Sequence, residues 1–72
     1  MKIELDRDDD VLYLELDGAD VVDSQEISPG IVVDFDANDR VLGIEILNAS
    51  KKIAGGNLER VDFAVAGRRA RF

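Results

Sequence analysis

The sequence predicts an all-β domain, an antiparallel meander of five to six strands with one short helical turn near residues 48–54. Three observations carry that expectation. Apolar and polar residues alternate with period two along most of the chain, as in strands with one buried face. Turn-forming residues punctuate the alternation at Asp17-Gly18 and at Ser28-Pro29-Gly30. The stretch from Asn48 to Ala54 breaks it, between a capping residue and Gly55-Gly56.

The first strand covers Met1–Leu5, with Ile3 and Leu5 on one side. A polar loop, Asp6–Asp10, leads to Val11–Leu16, where Leu12, Leu14 and Leu16 share a face. Pairing Leu5 with Leu12 also pairs Ile3 with Leu14, so both strands turn their aliphatic side to one core. Asp20–Ile27 alternates weakly and is polar, which suits a sheet edge. Ser28-Pro29-Gly30 closes it as a type II turn, with proline pre-setting φ and glycine accepting positive φ.

Residues 30–47 give the clearest element. Ile31, Val33 and Phe35 alternate toward a bend at Ala37–Arg40, and Leu42, Ile44 and Ile46 return. Phe35 is expected opposite Leu42, Val33 opposite Ile44 and Ile31 opposite Ile46, cross-strand pairs of the kind that stabilise sheets. The other face is mixed: Val11, Tyr13, Val32, Val41 and Leu47 stand among Glu15, Asp34 and Glu45. A sheet with one solvated face normally shows a cleaner polar side. Tyr13, Val32, Val41 and Leu47 are therefore the candidate interaction face. Leu58–Ala66 resumes alternation through Val61, Phe63 and Val65 and reads as a final strand, with a helix as the alternative. Residues 67–72 read as a flexible basic tail.

The totals narrow the function classes. Seventy-two residues make one domain, 1–72, whose core is marginal without a staple, metal or partner subunit. The chain has no cysteine and no histidine, which removes disulfides, thiolate sites and the commonest general base. A net charge of −7 disfavours nucleic acid and anionic membranes as partners. The amino terminus enters a strand pattern directly, and no apolar run approaches the roughly 20 residues of a membrane span. A cytoplasmic protein is the expectation.

Three blocks carry a family likeness. Asp10-Val11-Leu12-Tyr13-Leu14-Glu15-Leu16, Ser28-Pro29-Gly30-Ile31-Val32-Val33-Asp34-Phe35-Asp36 and Gly43-Ile44-Glu45-Ile46-Leu47-Asn48-Ala49-Ser50 follow one another in this order. Together they resemble the bacterial and archaeal family called domain of unknown function 2283, over about residues 1–52. The resemblance implies a small stand-alone cytoplasmic protein with no assigned activity. It also implies a binding role, because some members are similar to antitoxin-like partners of a small toxin-like protein.

Several carboxylates imitate a site. Asp34, Asp36, Asn38 and Glu45 occupy positions 1, 3, 5 and 12 of a calcium loop, but Asp39 stands where that loop needs glycine, and strands replace its helices. Asp34, Asp36 and Glu45 also suggest a metal-binding or hydrolytic module, although such chemistry needs a desolvated cleft that separates two pKa values. Asp8-Asp9-Asp10 reads as a solvated loop, and Gly55-Gly56 lacks the lysine-bearing helix start of a phosphate loop. No catalytic, cofactor-binding or metal residue is assigned. The expected role is a non-catalytic interaction module, a homodimer or the partner of a small protein.

Overall fold

The computed structural model of the chain describes residues 1–55 and 57–67. Five strands, β1 (Lys2–Asp6), β2 (Val11–Glu15), β3 (Asp23–Ser28), β4 (Ile31–Phe35) and β5 (Val41–Leu47), precede one short helix, α1 (Ala49–Lys52). All pairings are antiparallel and form one open sheet in the order β1-β2-β5-β4-β3. The mainly β, antiparallel architecture read from the alternation is present.

The strands are not all neighbours in chain order. β3, β4 and β5 form a meander, and β5 then pairs with β2, a Greek-key arrangement extended by β1. The link from Leu16 to Val22 crosses the end of the β4–β5 hairpin. Its backbone is anchored there: Leu16 N–H and Asp17 N–H donate to the Leu42 carbonyl at 2.7 and 3.2 Å, and Val22 N–H donates to that of Phe35 at 2.9 Å. Alternation gives each strand two faces but does not say which strand lies beside which.

The register agrees with the aliphatic pattern. Ile3 lies opposite Leu14 and Leu5 opposite Leu12. Across the sheet, Ile3, Leu14, Ile44, Val33 and Gln25 form one row, and Leu5, Leu12, Ile46 and Ile31 the next. The third expected pair is shifted. Phe35 stands opposite Val41, and the register slips between Asp34 and Phe35, so Leu42 is the extra residue of a bulge. The slip ends at a tight bend in which Asp39 takes φ 61°. Leu42 is nevertheless among the most buried residues, at 3% exposure.

β3 is the polar edge strand, exposed along its length, with Ile27 bulged out between Glu26 and Ser28. A bulge on an edge discourages pairing with another chain. The Pro29-Gly30 turn follows, with Gly30 at φ 81° as a type II turn requires.

At the same end of the sheet, just after β5, Asn48 turns the chain in a left-handed conformation (φ 55°) and α1 begins. Asn48 makes no side-chain cap. Asp10 supplies it from the β1–β2 turn, accepting Ala49 N–H at its carbonyl (2.9 Å) and Ser50 N–H at its carboxylate (3.0 Å). Beyond the helix the sequence expectation fails: residues 58–66 form neither strand nor helix. Alternation chooses side-chain faces only once an edge is within reach, and this segment leaves α1 beside the β1–β2 turn, where Glu59 pairs with Arg7. Most of the expected basic tail lies outside the described residues. Among the described residues no second layer of secondary structure packs on the sheet, and residues 53–55 and 57–67 are exposed apart from half-buried Ile53 and Leu58.

Candidate functional site

The mixed face is organised around a buried carboxylate. Asp34 is 6% exposed and accepts a hydrogen bond from Ser24 Oγ at 2.7 Å. The Tyr13 hydroxyl donates to its other oxygen at 3.4 Å, a long bond for this pair of groups. Tyr13 pairs with Glu45, while Asp34 pairs with Gly43 in the next row. The tyrosine ring must therefore lean across Gly43 to arrive. A Cβ on Gly43 would sit 2.5 Å from the Tyr13 hydroxyl oxygen and 2.9 Å from Cζ, so glycine is required here by close approach.

Burial of the phenol raises the Tyr13 pKa, and the Asp34 charge, the hydrogen bond to Asp34 and the charges of Glu15 and Glu45 add to it. The hydroxyl is thus held protonated as a donor. Among the described residues every buried side-chain nitrogen and oxygen has a partner.

Asp36, also singled out in the sequence, is equally engaged. Asp36 accepts Asn38 N–H and Arg40 N–H, each at 2.8 Å, and Arg40 Nε–H at 3.0 Å, closing the β4–β5 bend. The bond from Arg40 N–H does most to lower its pKa, followed by those from Asn38 N–H and the Arg40 side chain, and the nearby guanidinium charge. Glu45 lies on the strand between Tyr13 and Val32. Asp34, Asp36 and Glu45 therefore belong to a β-bridge, a bend and a strand face respectively. Among the described residues no group of three or more carboxylates is arranged to hold a metal ion.

Among the described residues two hollows stand out on the surface. One, of about 500 Å³, is lined by Leu5, Arg7, Asp10, Ser50, Asn57, Leu58 and Glu59. Its polar groups are paired with one another: Ser50 Oγ–H donates to Asp10 at 2.6 Å, and Arg7 pairs with Glu59. The bonds from Ser50, side chain first and then backbone, lower the Asp10 pKa, with help from the Lys51 charge. The other, of about 280 Å³, lies at the β4–β5 bend beside Asp17, Asp36 and Arg40.

The four candidate interaction residues are dispersed. Tyr13 and Val32 flank Glu45 in one row, and Leu47 stands opposite Val11 at one end of β5. Val41 lies at the other end, opposite Phe35 and 41% exposed. The apolar face is the continuous one. Its two rows run across the sheet without a charged residue in the pairs from β1 to β4.

Sequence reasoning missed Ser24 as the partner of Asp34, the close approach at Gly43 and the Asp10–Ser50 tie. The last was traceable only in that Asp10 opens the first motif block and Ser50 closes the third.

These positions explain the motif blocks physically. Tyr13, Asp34 and Gly43 are one packing unit, Gly30 and Asp36 shape two turns, and Asp10 and Ser50 fasten α1 to the sheet. Among the described residues no helix is long and apolar enough to cross a membrane. Comparison with curated proteins and with solved structures gives no match. The family model described as a protein of unknown function, DUF2283, matches residues 2–50, which takes in the whole sheet and the start of α1. With that span covering well over half of the sequence, the chain belongs to the DUF2283 family.

Proposed function

We propose that this protein is a small, non-catalytic, cytoplasmic interaction module that works by binding another polypeptide, either a second copy of itself or a small protein partner in the manner of an antitoxin. One observation carries the reading: the sheet has a continuous aliphatic face and, among the described residues, no second layer to cover it. A sheet must bury its apolar face against another element to gain the stability that burial supplies. Asp34 and Asp36, two of the three carboxylates that could suggest chemistry, are engaged in bonds that hold the fold, which supports a binding role over a hydrolytic or metal-dependent one.

The test is isolation of the full chain from its native host under gentle conditions, followed by native mass spectrometry. The expected result is a stoichiometric complex, with itself or with one other small protein. A chain recovered only as a single copy, and remaining so when concentrated, contradicts it.

A further inference from the structure

We infer that the aliphatic face centred on Leu14 and Ile44 is where a second copy of this chain docks, sheet against sheet, to form a two-layer sandwich. This rests on the interaction-module reading and fixes its partner and its face. Three observations bear on it.

The first is area. The chain exposes 5514 Å², whereas a compact monomer of its 7.9 kDa mass exposes about 4,400 Å². The excess over the whole chain is about 1,100 Å², against the roughly 800 Å² that a standard interface takes from each partner. The radius of gyration tells the same story, at 14.3 Å against about 11 Å for a compact chain of this length. One copy is an open layer with enough surface to build half of a sandwich.

The second is charge. The face presents Ile3 and the half-buried Leu14, Ile44 and Ile46 around a buried Val33, while Lys2, Glu4, Glu15, Asp34, Glu45 and Glu26 lie in the rows of the opposite face. Two copies of net charge −7 can meet through this face without opposing carboxylates at its centre. The mixed face offers no such contact.

The third is the edges. β3 is polar, exposed and bulged at Ile27, and the other edge strand, β1, carries Lys2, Glu4 and Asp6, features that oppose association through either edge. Stacked sheets sit about 10 Å apart with interdigitating side chains, a spacing these aliphatic rows can fill.

The experiment is sedimentation equilibrium of the full chain over a wide concentration range, at low and high salt, with three variants. The expected mass rises toward twice 7.9 kDa with concentration, and more readily at high salt, which screens the like charges. Ile44→Lys should abolish the rise. Because that variant could unfold, Ile3→Lys supplies the independent arm: Ile3 is already 42% exposed in one copy, so lysine is accommodated there, yet it should weaken self-association at least tenfold. Val32→Lys, on the mixed face, should leave it within about twofold, as expected of a distant site.

A monomer at every concentration overturns the proposal, as does a dimer broken by Val32→Lys and indifferent to Ile3→Lys. If that monomer co-purifies stoichiometrically with a different protein, the self-pairing falls while the module reading stands. If it binds nothing, both fall.

Discussion

At the scale of single residues, Tyr13, Gly43 and Asp34 act as a unit in which a buried carboxylate is satisfied by a ring that only a glycine admits. Tyr13→Phe should cost about 0.5 kcal/mol, the low end for a hydrogen bond, because the bond is long and Ser24 remains. Gly43→Ala should cost more, about 1–3 kcal/mol, since the new methyl displaces the ring. In a Tyr13→Ala background that cost should shrink, leaving the contact with the Leu14 carbonyl 3.0 Å away. Urea unfolding of the four proteins measures the cycle. Equal costs of Gly43→Ala in both backgrounds would refute the ring contact.

Acid sensitivity belongs to this scale too. Asp10 and Asp36 are held below their ordinary values by the hydrogen bonds they accept. Each folded-state pKa lies below the unfolded one, about 3.9, so the stability they give is present above that value and is lost as pH falls through the folded values. The urea midpoint should therefore fall below about pH 4, and Asp36→Asn should remove part of that fall. For Tyr13 the sign is opposite. Its raised pKa favours the protonated folded form, so its contribution is present below about pH 10 and is lost as the pH climbs through its folded value.

At the scale of elements, α1 is a helix of four residues, too short to persist by itself. It is held by Asp10 and by Lys52, whose ammonium donates to the Pro29 carbonyl at 2.7 Å. Asp10→Ala should lower the urea midpoint of the protein, because it frees the Ser50 N–H and hydroxyl that the carboxylate accepts. It should also speed hydrogen exchange at Ala49–Ile53 ahead of the strands. Unchanged exchange there would show that α1 does not depend on the tie.

The strands and two of the three expected cross-strand pairs of the central hairpin were readable in the sequence, because period two reports faces directly. The slip that puts Val41 opposite Phe35 was not, since a bulge leaves the composition of both strands unchanged. Nor was the Asp10 cap, which joins residues 40 positions apart. Residues 60–66 mark the limit from the other side. Val61 and Phe63 keep a strand's alternation yet are 56% and 77% exposed outside any strand, because pairing needs an edge as well as a pattern.

At the scale of the whole molecule, the fold is one sheet with two dissimilar faces. The mixed face drew attention in the sequence as the interaction surface, and within the chain its Tyr13 leans over Gly43 toward Asp34. The aliphatic face looked like a finished core, and in one copy it lacks a covering layer among the described residues. A period-two pattern marks a face for burial without saying whether the same chain buries it.

Methyl NMR with a soluble paramagnetic agent tests that burial most directly. At high protein concentration the methyl groups of Leu14, Ile44 and Ile46 should be shielded from the agent, and dilution should expose them while Val32 stays unchanged. Methyl groups on the aliphatic face that relax equally fast at every concentration would contradict it.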